Sequence, residues 1–411
     1  MPLSTLQPST PEAAIASVSG LSTLHVVPSV ASRYGGASVA VVGMCRALPA
    51  VGVDATIAST DADGPLRLHS RVGEVEVRED VPTILFPLGW SEGFKYCRPL
   101  AAWLLDHVVD YDVIHIHAIF SHSSLAAAAA CQARNVPYVV SPHGMLDPWS
   151  MRRGWLKKRL LWYAGVHRMM RHAAAIHYTT VAERCLAEGS LGLRRGVVVP
   201  LGVDGILLED ASTADSAGLD LPRPYILALA RLDPKKGLDL LLQAFGSLQW
   251  EKQATPWTLV LAGDGNPAYK NRLKSLANRL GLGNRVRFTG WIEGARKRSI
   301  LRAAALFALP SHQENFGISV VEAMACGVPV LVSSSVNLAS EIAEAGAGWI
   351  TSLEADDLAA RLEEAMQLPE ERERRGAAGS ALVRGRFTWP TVANGLADMY
   401  NAVTRTGLVL S

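Results

Sequence analysis

The stretch from Phe307 to Ser333, reading FALPSHQENFGISVVEAMACGVPVLVS, constrains this chain most, because it sets two carboxylates and a helix start between two buried strands. Phe307 to Leu309 is a short apolar run ended by Pro310, and Val328 to Val332 is another, entered through Gly327 and Pro329. Both predict interior strands of a parallel sheet. A helix has to connect them. Val320, Val321, Ala323, Met324 and Ala325 form its apolar body, Gly317 lies at its start and Gly327 just past its end. Its first amides point unpaired into the loop Glu314-Asn315-Phe316. A positive dipole end at the carboxyl edge of a parallel sheet is a prepared anion site, and phosphate is its natural guest.

Glu314, taken alone, reads equally as a solvated loop acid. Glu322 is more demanding, since it sits inside Val-Val-Glu-Ala-Met-Ala-Cys, where an unpaired buried charge costs on the order of several kcal/mol. A polar partner is therefore expected there, and hydroxyls of a bound sugar or ribose fit.

A Glu, seven residues and a second Glu, in the form ENFGISVVE followed by AMACGVPV, resembles the signature of the retaining GT-B glycosyltransferases of family 4. The resemblance implies an α/β chain of two Rossmann-like domains facing each other across a cleft. It also implies that Glu314 touches the donor sugar, that Glu322 binds the ribose, and that the backbone of Phe316, Gly317 and Ile318 holds the diphosphate. By the same resemblance the anomeric configuration is retained and neither a metal nor any other cofactor is needed beyond the nucleotide-sugar substrate.

At 411 residues the chain is too long for one ordinary core and suits two domains of about 200 residues each. A net charge of +2 argues against nucleic acid as a partner. The five cysteines are odd in number, scattered and without a CxxC pair, so neither a disulfide frame nor a zinc site is indicated, and a cytoplasmic location fits. Residues 1–20 lack the basic start and apolar core of a signal peptide and read as a mobile tail. The first domain is expected over 21–205, the nucleotide-sugar domain over 206–388, and a terminal helix crossing back to the first domain over 389–411, as the resemblance implies.

Along the first half, strand and helix patterns alternate, predicting βαβ winding. Leu21 to Val30 is the first strand, and the turn Arg33-Tyr34-Gly35-Gly36 follows it. This is not GxGxxG, which counts against a dinucleotide-dependent oxidoreductase. In the resembling family such a Gly-Gly loop faces the cleft, so Gly35 and Gly36 are donor-side candidates. Gly64 to Glu79 is expected to be a polar surface excursion. Asp112 to His117 places His115 and His117 on one strand face with His122 beyond. A metal reading lacks a third ligand at diagnostic spacing, and hydrogen-bonded histidines at a strand end are the plainer reading. His117, at a strand's carboxyl end, is also an acceptor-site candidate. His143 follows the strand Pro137 to Val140, and the resemblance brings a His-Gly here to the donor sugar. Asp147 either contacts an acceptor or caps the next helix.

Met151 to His172 carries seven Arg or Lys residues and no acid, with Trp155 and Trp162 among them. That is the composition of a peripheral, anionic-membrane contact, or of a solvated basic face over a packed apolar one. Residues 202–223 have linker composition. In the second half, Tyr225 to Ala230 is a strand, and Arg231 and Lys236 lie on the loop that follows. Two cations at a strand's carboxyl end suit a diphosphate, and the resembling family uses an Arg and a Lys there for that purpose. Gly263, on the next strand-to-loop turn, is expected to allow close approach of the ligand or its loop.

The resulting expectation is transfer of a hexose, with a preference for GDP-mannose, to a lipid-linked or polysaccharide acceptor. A same-fold nucleotide-sugar epimerase or a non-catalytic nucleotide-sugar binding protein is the alternative.

Overall fold

The structure is a computed structural model that describes residues 20–152, 154–209, 221–250 and 255–405. Among the described residues, ten strands occur in the first half. They are β1 (Leu21–Ser29), β2 (Val53–Thr60), β3 (Ala62–Asp63), β4 (Leu66–Arg67), β5 (Val75–Arg78), β6 (Val81–Phe86), β7 (Val113–His117), β8 (Tyr138–Ser141), β9 (Ala175–Tyr178) and β10 (Gly196–Val198). Eight of them form one sheet in the order β10-β9-β8-β7-β1-β2-β6-β5, and β3 pairs with β4 apart from it. Every pair in the large sheet is parallel except β5 with β6. The second half contributes β11 (Tyr225–Leu229), β12 (Thr258–Ala262), β13 (Val286–Gly290), β14 (Leu306–Leu309), β15 (Val330–Ser333) and β16 (Gly348–Thr351), all parallel, in the order β13-β12-β11-β14-β15-β16.

In both sheets the winding reverses beside the first strand, between β1 and β7 and again between β11 and β14. Such a reversal opens a crevice at the carboxyl ends of the strands, where ligands collect in doubly wound folds. The central strands are apolar along their whole length because helices cover both faces, and every residue of β7, β11 and β14 is buried.

Part of the expected surface excursion is an edge strand instead. Val75-Glu76-Val77-Arg78 pairs antiparallel with β6, and its valines face solvent. The residues between Gly64 and Glu79 are too polar to signal a strand by hydrophobicity, and only the short Val-Glu-Val-Arg alternation marks it. Two predicted segments, the tail and part of the linker composition at 202–223, fall largely outside the described residues.

The last helix, Trp389–Arg405, follows the helix Pro369–Arg386 of the second half and packs on the first. Its Val392, Leu396, Met399 and Tyr400 join the core that holds Leu21, Val41, Met44 and Leu48. Trp389 is wedged between Gly43 and Gly202, where a Cβ at either position would collide with the indole. Among the described residues no helix is long and apolar enough to cross a membrane.

Candidate active site

The two crevices meet. After β14 the chain runs through Glu314, Asn315 and Phe316 to Gly317, whose φ of 78° makes it a left-handed start for the helix Ile318–Ala325. The amides of Ile318 and Ser319 donate to no protein acceptor among the described residues, as expected of an uncapped first turn. Phe316 is buried edge-on against Phe387, ring centroids 5.6 Å apart, so only its backbone faces the crevice loop. From the neighbouring loop after β11, Lys236 forms an ion pair with Glu314. Arg231 on the same loop reaches the first half, its Nε 3.7 Å from the point where a side chain would begin at Gly35. Ile318 lies 3.1 Å from the equivalent point at Gly36. Gly35, Gly36, Arg231 and Ile318 therefore form one seam, and side chains at the glycines would fill it.

Gly263 acts locally. Its φ is 126°, and a Cβ there would collide with the carbonyl of Ala230. The close approach that it permits is thus between the turns after β12 and β11.

Glu322 is met by Lys297, with Nζ 2.6 Å from Oε1. Burial raises the Glu322 carboxyl above its ordinary range, and the Lys297 ammonium opposes that rise. The polar partner expected from the sequence is in this structure an ammonium group. Lys297 belongs to the helix Gly294–Arg302, and no pattern in the sequence marks it as the partner of Glu322.

His143 and Gly144 come from the loop after β8. The Gly144 amide donates to Glu183 Oε1 at 2.6 Å, and Asn315 packs over Gly144. Glu183 also accepts from the Thr179 amide at 2.9 Å and from Asn315 Nδ2 at 3.1 Å. This buried carboxylate ties the His143 loop of the first half to the Glu314 loop of the second, and desolvation raises its pKa against those donors. Thr180-Val181-Ala182-Glu183 carries the capping-box pattern, which predicts a carboxylate bonded back to its own helix start. Thr180 does cap the helix, and Glu183, besides bonding back to Thr179, reaches the two loops. Nothing in the sequence signalled that second use.

His117 cannot serve as an acceptor contact: it has no exposed surface, and both ring nitrogens are engaged, Nε2 with His25 Nδ1 at 3.0 Å and Nδ1 with His143 Nε2 at 3.0 Å. The pleat that aims it along the sheet buries it beneath His143. His122 stands apart, accepting from the Cys97 amide at 3.3 Å, and the third imidazole beside His115 and His117 is His25. Asp147 accepts from the Trp149 amide at 2.8 Å, which is the capping role. Burial lowers the pKa of His25, His115, His117, His143 and His177, so these rings are neutral.

Residues 35–202 match the family described as Glycosyl transferase 4-like domain, and residues 211–381 match Glycosyl transferases group 1. The GDP-mannose:cellobiosyl-diphosphopolyprenol alpha-mannosyltransferase of Komagataeibacter xylinus is 25% identical over 400 residues, covering 93% of each chain. A D-inositol 3-phosphate glycosyltransferase of Segniliparus rotundus is 32% identical over 214 residues, which are 51% of this chain and 47% of that relative, so the matched part spans about half of its length. Among solved structures, sucrose-phosphate synthase from Thermosynechococcus elongatus superposes with a TM-score of 0.78 at 20% identity, covering 94% of this chain and 100% of that one. The two sheets, the meeting crevices and the two matched families agree: the chain has the GT-B fold and belongs to the glycosyl transferases group 1, as a glycosyltransferase.

Proposed function

We propose that the protein is a retaining glycosyltransferase that moves a hexose from a nucleoside-diphosphate sugar to a lipid-linked or polysaccharide acceptor, with GDP-mannose as the preferred donor. The observation that carries this reading is the seam where Arg231 and Ile318 stand opposite Gly35 and Gly36, with Lys236 on the Arg231 loop paired to Glu314 just ahead of the open amides of Ile318 and Ser319. These groups supply positive charge where the diphosphate leaves, which is the dominant electrostatic contribution in such a transfer. They do so without a metal ion.

In this reading Glu322 binds the ribose, Glu314 and His143 contact the sugar, and the backbone at Phe316, Gly317 and Ile318 cradles the diphosphate. The acceptor hydroxyl attacks the anomeric carbon on the face that the phosphate leaves. The bond from that carbon to the phosphate oxygen breaks, and the same phosphate takes the acceptor's proton. Closure of the two halves excludes water and limits donor hydrolysis. The name of the Komagataeibacter xylinus relative supports both the GDP-mannose preference and a polyprenol-linked acceptor.

The surface of the first half supports a lipid-linked acceptor as well. Trp155, Leu156, Leu160 and Tyr163 are 53%, 66%, 71% and 75% exposed, with Arg152, Lys157 and Arg159 exposed among them. Trp162 packs inward instead. An exposed aromatic and leucine face flanked by cations suits peripheral contact with an anionic bilayer. Turnover of a panel of nucleotide sugars with polyprenol-linked and glycan acceptors tests the proposal. Release of GDP that depends on both GDP-mannose and an acceptor is expected, and binding without any turnover would favour a nucleotide-sugar binding protein.

A further inference from the structure

Four buried histidines, the half-buried His143 and one tyrosine form a continuous hydrogen-bonded path, and one end of it has a fixed direction. The Val199 carbonyl only accepts, so His177 Nε2, 2.8 Å away, carries a proton. A neutral ring then has a bare Nδ1, and that atom lies 3.3 Å from His115 Nε2, which must donate to it. His115 Nδ1 is therefore bare and accepts the hydroxyl proton of Tyr400 at 2.8 Å. The Tyr400 oxygen, having donated, accepts from His25 Nε2 at 3.5 Å, the longest link. His25 Nδ1 is left to accept from His117 Nε2 at 3.0 Å, and His117 Nδ1 to accept from His143 Nε2 at 3.0 Å.

We propose that this one-way path holds His143 in its Nε2–H tautomer with Nδ1 as a hydrogen-bond acceptor, and that Tyr400, His25 and His117 are positioning residues for the transfer reaction. Among the described residues no protein group bonds to His143 Nδ1. His143 itself is only half-buried. The loop is held for this purpose, with His143 at φ 49° and Gly144 fixed by Glu183. An imidazole fixed in this way accepts from a sugar hydroxyl and does not donate to one, so it discriminates the orientation of that hydroxyl. That consequence rests on His143 contacting the donor sugar, whereas the tautomer does not.

The path also accounts for the grouping of His25, His115 and His117, which are close enough to share an ion. Each of their ring nitrogens already has a partner in a single consistent direction. Tyr400 is the reporter position, because it belongs to the terminal helix and bridges two branches that are otherwise unconnected.

Two-bond proton–nitrogen correlation NMR on ¹⁵N-histidine-labelled protein reads the tautomer, with His143→Gln used to assign the signal. His143 is expected as Nε2–H in the wild type. In Tyr400→Phe the long link is lost, the segment His25-His117-His143 is free to reverse, and an Nδ1–H population of His143 should appear, together with a fall in kcat/KM for the donor of ~10-fold, the scale of one misdirected hydrogen bond. An Nδ1–H or doubly protonated His143 in the wild type overturns the proposal. An unchanged tautomer in Tyr400→Phe overturns the role of Tyr400. Full turnover of His143→Ala alongside the expected tautomer removes the sugar contact but leaves the path standing.

Discussion

Lys297 Nζ stands 2.6 Å from Glu322 Oε1, and each residue comes from a helix that the sequence joins to the other only through a strand and a loop. The pair is part-buried: burial pushes the Glu322 carboxyl pKa up, and the Lys297 ammonium opposes that rise. A ribose bound to Glu322 has to compete with that contact or share it. Glu322→Gln should weaken binding of the free nucleoside diphosphate ~10-fold or more, the scale for a hydrogen bond to a charged group. Wild-type affinity should fall as pH falls toward the raised carboxyl pKa. Lys297→Met should move that midpoint to higher pH, because it removes the opposing charge. Calorimetric affinities across the pH series check both statements, and a pH-independent Glu322→Gln variant with wild-type affinity would remove Glu322 from the ribose.

Glu314 and Lys236 behave differently, because their ion pair joins the loop after β14 to the loop after β11. Glu314→Gln should leave nucleoside-diphosphate affinity within about twofold and lower turnover ~10²-fold if its partner is the sugar. Equal losses in affinity and turnover would show that the residue acts on the nucleotide.

Acid should unfold the protein early. The five imidazoles of the path face one another, Tyr400 and, beyond it, Cys45, and no carboxylate contributes to their shifts. Their folded pKa values lie below the unfolded value, near 3 for His25 and His143 and near 4 for His177. The unfolded chain therefore binds more protons as pH falls below about 6.5, and stability is lost from there down. Each such histidine contributes a slope of up to about 1.4 kcal/mol per pH unit. Denaturant melts between pH 7.5 and 5 should show a steep decline that His25→Phe makes shallower. A flat profile over that range would mean that the rings are charged or solvated in the folded state.

The central motif was legible because its chemistry is local: two apolar strands, a helix between them and a glycine at the helix start predict one another over 27 residues. The position of Arg231 and Lys236 on one loop after a buried strand was legible for the same reason, since a strand end followed by two cations is a short pattern. What the sequence did not reveal depends on pairings between distant segments. Glu183 looked like a helix cap and is also the tie between the His143 and Glu314 loops. Lys297 carries no local pattern that sets it apart, and it pairs with Glu322. His117 pointed toward the cleft by strand register, yet His143 lies over it, a relation set by the neighbouring strand rather than by its own. Tyr400, 285 residues from the His115 that it bonds, gave no signal beyond the apolar face of its helix.

The exposed face Trp155, Leu156, Leu160 and Tyr163 predicts sedimentation with anionic but not neutral vesicles, weakened by salt. Replacing Arg152, Lys157 and Arg159 by Gln should reduce it, since each cation near such a surface contributes about 1 kcal/mol. Replacing Trp155 and Leu160 by Ser should also reduce it, while turnover of a soluble acceptor analogue stays unchanged. Equal binding by wild type and both variants would reject the membrane contact and leave the transfer chemistry intact.

The most direct test of the donor site is titration calorimetry of GDP and of UDP, in EDTA, against wild type and the Arg231→Ala/Lys236→Ala double variant. The wild type should bind one of the two nucleotides without added metal, and the double variant should lose that binding ~10²-fold or more, together with transferase turnover. Wild-type affinity in the double variant, or binding that appears only when Mg²⁺ is supplied, would contradict a diphosphate held by these two cations and the start of the helix Ile318–Ala325.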